Sequence, residues 1–146
     1  MFKTILVCSD GSEHSMKAAR EAAIIAKQLD ACVLLLNVNS SVGALSPCIM
    51  PWQMEVNESE STHDLNETQE CALKHAEILF DKDEIRYVSL REFGHAAAQI
   101  VRVAEREEAD LIVLGSRGLN VLETLLLGSV SEHVVHHAHC SVLVVR

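Results

Sequence analysis

Short, unbroken apolar runs constrain the fold of this chain more than any other feature. Residues 5–8 read Ile-Leu-Val-Cys, residues 32–38 form a second continuous run, and residues 111–114 read Leu-Ile-Val-Leu. A strand with one solvated face alternates polar and apolar residues, so these runs indicate parallel strands that helices cover on both faces. Because only 3% of the residues are aromatic, the core must be aliphatic.

The segments between these runs have helical spacing. Within residues 12–29, apolar side chains recur at intervals of three or four residues and line one face. Further helices are predicted around residues 65–79, 95–107 and 129–137, with an edge strand at 85–91 and a last strand at 141–145. This alternation predicts an α/β fold, an open five-stranded parallel sheet with helices on both faces.

Residues 39–61 interrupt the alternation. Glycine, proline and polar residues there surround three large apolar side chains, Met50, Trp52 and Met54. A connection of this length without regular structure is unusual in a compact domain, so we expect a lid, a contact surface or a disordered segment. Residues 1–146, this segment included, are predicted to form one domain.

Charge and cysteine content exclude several classes of protein. A net charge of −9 argues against non-specific binding to nucleic acid or anionic lipid. Five cysteines without a CxxC pair favour reduced thiols over a disulfide framework or a zinc site. No apolar run approaches the ~18 residues of a membrane span, and no signal-peptide pattern is present. We therefore expect a cytoplasmic protein.

Polar junctions follow the first and fourth predicted strands, at Asp10 and Gly115. Ligands of parallel sheets bind at the carboxyl ends of the strands, where the strand order reverses. Residues 115–118 read Gly-Ser-Arg-Gly, and after nine residues the chain continues with Gly-Ser at 128–129. This is neither a Walker A loop nor a GxGxxG dinucleotide pattern.

Each glycine of this segment has a predicted task. Gly115 and Gly118 would allow positive φ and a close approach of backbone amides to a ligand. Gly128 would make a tight turn before a helix whose first residue, Ser129, presents hydroxyl and amide groups, and Ser131 would add a hydroxyl. The residues alone predict an anion site, for phosphate above all, although glycines can also simply end strands and begin helices.

The spacing Gly-x2-Gly-x9-Gly-Ser, preceded by Asp-Leu-Ile-Val-Leu at 110–114, resembles the ATP-binding motif of the universal stress protein family. Residues 10–15, 34–38 and 141–145 resemble the opening after the family's first strand, its second strand and its closing strand. The resemblance implies a Rossmann-like sheet. In the ATP-binding branch of the family it also implies ATP, ADP or AMP as ligand, with Mg²⁺ bound through the phosphates.

The same resemblance assigns roles to residues. Asp10 would hold the ribose or the adjacent phosphate, and the backbone at Val38 would face adenine. The glycine amides and Ser129 would hold phosphates, with Arg117 as the sole basic side chain, since residues 119–127 offer only Glu123 as a charge. The complete set of predicted nucleotide-binding residues is Ser9, Asp10, Val38, Leu114, Gly115, Arg117, Gly118, Gly128, Ser129, Val130 and Ser131.

Three functions stay open at this point. The first is an ATP-binding regulatory or stress-response protein. The second is a slow ATPase or autophosphorylating protein with Ser129 or Ser131 as acceptor, although no catalytic constellation is evident. The third is an interaction module that binds no nucleotide. A homodimer is also predicted, because strand 141–145 is apolar and lies at a sheet edge that proteins usually cover.

Other residues have two interpretations each. Asp10 could be only a helix cap, or a surface carboxylate solvated in a loop. His133 and His137, with His136 and His139 nearby, have the spacing of metal ligands, but histidines near a helix C-terminus are favoured by the dipole alone. Cys8 lies in an apolar strand and is predicted to pack in the core.

Overall fold

The computed structural model describes residues 1–39, 58–118 and 127–146. These residues form alternating strands and helices, as the sequence predicts. In chain order they are β1 (Thr4–Cys8), α1 (Glu13–Leu29), β2 (Cys32–Asn39), α2 (Glu58–Lys82), β3 (Tyr87–Phe93), α3 (Ala96–Arg106), β4 (Leu111–Gly115), α4 (Ser129–His137) and β5 (Ser141–Val145).

The five strands form one parallel sheet in the order β3-β2-β1-β4-β5. The predicted α/β fold is therefore confirmed, as is the edge position of the third strand. The chain builds outward from β1 to β3 and then crosses back to β4, so the strand order reverses between β1 and β4. Their carboxyl ends are where an open parallel sheet binds a ligand.

Both faces of the sheet are buried at its three central strands, β2, β1 and β4. Ile5 and Val7 of β1 pack with α1 and α2 in one aliphatic cluster, whereas Leu6 between them packs with α3 and α4 in another. Alternate residues of a strand thus face opposite layers that are equally apolar. This is the physical reason why the central strands show no alternation of polarity in the sequence.

The predicted loop 39–61 is too long at both ends. Asn39 still belongs to β2, because it continues the parallel register with β3 and pairs with Phe93. At the other end α2 begins at Glu58. Residues 40–57, with Met50, Trp52 and Met54, lie outside the described residues.

Two observations concern the classes of protein considered above. No helix in the described ranges is long and apolar enough to cross a membrane. The four cysteines that the structure describes are free thiols: Cys8, Cys32, Cys71 and Cys140.

Candidate functional site

Two neighbouring elements hold the segment that follows β1. The Ser9 amide donates to the Leu36 carbonyl of β2 at 2.9 Å, and the Ser9 hydroxyl donates to the Ala72 carbonyl of α2 at 2.9 Å. The Asn37 side-chain amide donates to the Ser9 carbonyl at 2.7 Å. Ser9 is one of the predicted nucleotide-binding residues, but its hydroxyl is buried and hydrogen-bonded within the fold.

Asn37 is a residue of this site that the sequence prediction missed. It is 6% exposed, and its Oδ1 atom has no hydrogen-bond partner among the described residues. A buried polar atom without a partner costs roughly 1–3 kcal/mol, so this oxygen suits a donor from a bound molecule. A signal was present in the sequence, because Asn37 is the one strongly polar residue in the apolar run 32–38.

Asp10 and Gly118 meet where β1 and β4 end. The exposed Asp10 carboxylate accepts a hydrogen bond from the Ser12 amide through Oδ1 at 2.9 Å. Its other oxygen lies so close to Gly118 that a Cβ atom there would be 2.8 Å from Oδ2. The cap of α1 is Ser12, whose hydroxyl accepts from the Ser15 amide at 3.2 Å. The alternative that Asp10 caps the helix is therefore wrong.

The prediction of positive φ at Gly115 and Gly118 is wrong. Among the described glycines, positive φ occurs at Gly11 (81°) and Gly94 (124°) but at neither of these two. Gly115 is required by packing instead, because a Cβ atom would lie 2.8 Å from the carbonyl carbon of His14 in α1. This glycine sets how closely α1 approaches β4, and Gly118 leaves room for Asp10.

Ser116 closes the loop between β4 and α4. Its amide donates to the Val145 carbonyl at 2.7 Å, and its carbonyl accepts from the Gly128 amide at 2.7 Å. The Ser131 hydroxyl also lies within hydrogen-bond distance of that carbonyl, at 3.1 Å, and of the Gly128 carbonyl, at 2.9 Å. These bonds correct the prediction that the Gly128 amide and the Ser131 hydroxyl face phosphate, because both donors join the ends of the loop.

The first turn of α4 presents backbone donors without a side-chain cap. Its N-cap is Gly128, which has no side chain, and the first backbone bond of the helix runs from the Glu132 amide to the Gly128 carbonyl at 2.9 Å. The amides of Ser129, Val130 and Ser131 precede that bond and have no acceptor within the helix. Together with the helix dipole they can bind an anion, and the exposed Ser129 can add its hydroxyl.

Apolar side chains flank this polar helix start. Leu114 is buried in the cluster shared with α3 and α4, and Val38 and Val130 pack against the same cluster while half-buried. Cys8 also packs there, and burial, reinforced by the Asp10 carboxylate, raises the pKa of its thiol to about 12. The thiol is therefore protonated at neutral pH, in agreement with a packing role.

Two concavities lie at opposite ends of the sheet. At the carboxyl ends, Arg117 lines a cleft of about 170 Å³ with His14, Ser116 and Arg146. A larger, shallow concavity of about 890 Å³ lies at the amino ends of β4 and β5, where its lining includes Glu105, Glu108 and Asp110. Three carboxylates disfavour a phosphate in the larger concavity. The charge of the lining residues, rather than the volume, therefore favours the carboxyl ends of the strands as the phosphate site.

The histidines of α4 form a ring stack. The rings of His133 and His137 lie 4.0 Å apart between centroids, and His95 at the N-cap of α3 lies 6.3 Å from His133. The Nδ1 atom of His137 is 2.8 Å from the His133 carbonyl oxygen. Within the described ranges, no group of three or more His, Cys, Asp or Glu residues is arranged to hold a metal ion.

Comparison with known proteins decides the family. The sequence profile described as "Universal stress protein family" matches residues 1–146. The chain belongs to the universal stress protein family. A universal stress protein of Methanocaldococcus jannaschii is 36% identical over 149 aligned positions, which cover 100% of this chain and 83% of that relative.

Solved structures of the family share the fold. The universal stress protein UspA from Lactobacillus plantarum superposes with a TM-score of 0.74 at 26% identity, over 99% of this chain and 98% of that one. A universal stress protein family protein from Arabidopsis thaliana, solved with AMP bound, gives a TM-score of 0.65 at 21% identity, over 98% and 90% of the two chains.

Proposed function

We propose that this protein binds an adenine nucleotide at the carboxyl ends of β1 and β4, and that occupancy of the site regulates its interactions. One observation carries the proposal above all. The Asp10 carboxylate meets Gly118 at the point where the strand order reverses, and the neighbouring helix α4 begins with uncapped amides. Negative charge on a ligand would be bound by those amides, while Asp10 would accept from hydroxyl groups.

The nucleotide would lie with its phosphates on the amides of Ser129 and Val130 and on the Ser129 hydroxyl. The ribose hydroxyls would then donate to Asp10, and the base would pack between the half-buried Val38 and the α4 side of the site. The AMP bound to the Arabidopsis relative supports this class of ligand. For ATP or ADP, Mg²⁺ on the phosphates and Arg117 would offset the additional negative charge.

The alternative function, an autophosphorylating protein, needs a serine hydroxyl that can accept a phosphoryl group. The Ser131 hydroxyl is buried and engaged, so the exposed Ser129 would be the acceptor in an autophosphorylating protein. Incubation with γ-labelled ATP, wild type against Ser129→Ala, tests this alternative. Transfer of label to the wild type alone would favour the enzyme over the regulatory binding protein.

We also propose that two copies pair through β5. This strand is hydrogen-bonded to β4 on one side only, and nothing in the described sheet covers its other side. Antiparallel pairing with the same strand of a second copy would satisfy both edges with one self-complementary contact.

Purification under native conditions followed by mass spectrometry tests nucleotide binding first. We expect an adenine nucleotide to co-purify, or AMP, ADP or ATP to bind the emptied protein in calorimetric titrations with and without Mg²⁺. A correctly folded protein that binds none of the three would instead be an interaction module.

A further inference from the structure

One face of α4 carries Ser129, His133 and His137 in a line. Residues four apart lie one turn above one another on a helix, and their side chains lean toward its N-terminus. His137 shows this lean, because its Nδ1 atom is 2.8 Å from the His133 carbonyl oxygen one turn back. The rings of His133 and His137 stack 4.0 Å apart between centroids. His133 therefore lies one turn below Ser129, the exposed first residue of the helix.

The groups that act electrostatically on His133 are imidazoles. From α3, His95 lies 6.3 Å away between ring centroids, and from α4 itself His136 and His137 act on it. α4 also packs on β5, where residues 141–145 read Ser-Val-Leu-Val-Val and have no titratable side chain. Within the described ranges, these neighbours oppose a positive charge on His133 and supply no negative charge to balance one.

His133 is consequently neutral in the empty protein at neutral pH and above. Its side chain is half-buried, and burial, followed by the charges of the neighbouring imidazoles, lowers its pKa from 6.5. An opposite charge within about 4–6 Å favours the charged form of a titratable group. One helical turn rises about 5.4 Å and the His133 side chain leans toward the helix start, so a phosphate held by Ser129 comes within that range.

We propose that His133 is the phosphate sensor of the nucleotide site: it takes up a proton from solution when the nucleotide binds, and the resulting imidazolium stabilises the phosphate. This inference rests on the proposed nucleotide-binding function and adds its regulation by pH. The complex holds the proton more tightly than the empty protein, so the affinity rises as the pH falls through the pKa of His133 in the complex. The affinity levels off below the pKa of His133 in the empty protein. Acidification would therefore raise nucleotide occupancy at a constant nucleotide concentration.

Calorimetric titration of the full chain with AMP, between pH 8 and pH 6.5 and in two buffers of different ionisation enthalpy, measures affinity and proton uptake together. We expect the affinity to be about tenfold higher at the acidic end, because the imidazolium adds a charge-assisted hydrogen bond, and protons to be taken up on binding. The second pKa of a phosphate monoester is about 6, so AMP is mainly a dianion in this range, and its own protonation would lower the affinity instead. Any binding of adenosine, which has no phosphate, should show neither effect.

One variant, one control and one direct measurement complete the test. His133→Gln keeps a polar side chain but cannot take up a proton, so it should lose both the rise in affinity and the proton uptake. His139→Gln, an exposed residue beyond the end of α4, is the matched control and should keep both. The pKa of His133 in the wild type, followed by the chemical shift of its ring Cε1 proton, should increase when AMP is added. That measurement needs no variant, so it tests the inference even if His133→Gln does not fold.

Three results would overturn the inference. They are a folded His133→Gln variant with the pH profile of the wild type, a pKa of His133 that AMP leaves unchanged or lowers, and an adenosine affinity that rises on acidification as steeply as the AMP affinity. A wild type that binds no AMP at any pH would overturn the proposed function itself, so the two failures are distinguishable.

Discussion

Gly115 and Gly118 look alike in the sequence but have different neighbours. A side chain at Gly115 would strike the backbone of α1, which cannot move without the helix, whereas at Gly118 it would strike the end of the exposed Asp10 side chain. Gly115→Ala should therefore cost about 1–3 kcal/mol of unfolding free energy, as overpacking does. Gly118→Ala should stay within about 0.5 kcal/mol of wild type but bind AMP more weakly, because Asp10 is displaced.

Urea denaturation and AMP calorimetry on both variants check this. Equal losses of stability in the two variants would show that Gly118 is also a packing residue and would remove it from the site.

Asp10 and Ser12 provide a second contrast between binding and stability. Asp10→Asn keeps an acceptor for the Ser12 amide but loses the charge, so we expect AMP affinity to fall roughly 10- to 100-fold with little change in melting temperature. Ser12→Ala removes the cap of α1 and should cost about 0.5–2 kcal/mol while leaving the affinity unchanged. A stability loss in Asp10→Asn with unaltered affinity would contradict the assignment.

The sequence identified several of the residues that meet at this site but not all of their tasks. Asp10 and Gly118 were predicted to share a site, and the end of β1 does lie against the end of β4. The Gly128 amide and the Ser131 hydroxyl were predicted to bind phosphate. In the structure both donate hydrogen bonds to carbonyl groups of the loop itself. The partner of a backbone amide depends on how a loop closes, and the spacing of glycines contains no information about that closure.

At the scale of elements, histidines join α3 to α4. Burial lowers the pKa of His133 from its ordinary value of 6.5, and the neighbouring His137, His95 and His136 lower it further. The folded state therefore binds this proton less readily than the unfolded state. Neutral His133 therefore contributes its full share to the free energy of unfolding above pH 6.5. That contribution is lost as the pH falls from 6.5 through the pKa of His133 in the folded state.

Thermal unfolding between pH 8 and pH 5 measures this effect. His133→Gln should flatten the acidic decline of the melting temperature, whereas the control His139→Gln, an exposed residue beyond the end of α4, should not. A decline in His133→Gln as steep as in the wild type would mean that other groups cause it.

The order of strands and helices was predictable because it depends on the spacing of apolar residues and on their burial. Unbroken apolar runs indicated the strands, and the sheet has them buried between two layers of helices. The boundaries were less predictable: β2 runs on to Asn39 because its register with β3 continues, and that register is a tertiary contact. The local sequence around residue 39 does not reveal this register.

At the scale of the whole molecule, the exposed edge of β5 predicts self-association. The Val145 carbonyl accepts from Ser116 on the β4 side, so the N–H of Val144 points away from β4, because successive residues of a strand alternate. Val144→Pro would therefore remove an outward donor without breaking the bonds to β4. We expect a dimer mass in wild type and a shift toward monomer in Val144→Pro.

Light scattering at micromolar concentration provides the measurement. Val144→Thr keeps the N–H group and the branched shape, and it is the matched control that should remain dimeric. A monomeric wild type at that concentration would rule out pairing through β5.

We expect an adenine nucleotide to bind where β1, β4 and the start of α4 meet. Amide chemical-shift mapping during an AMP titration tests it most directly, because the site is made largely of backbone amides. We predict saturable shifts concentrated at Asp10, Gly118 and residues 129–131, and much smaller ones in the same titration of Gly118→Ala. An unchanged spectrum, or shifts confined to the acidic concavity at Glu105, Glu108 and Asp110, would contradict the claim.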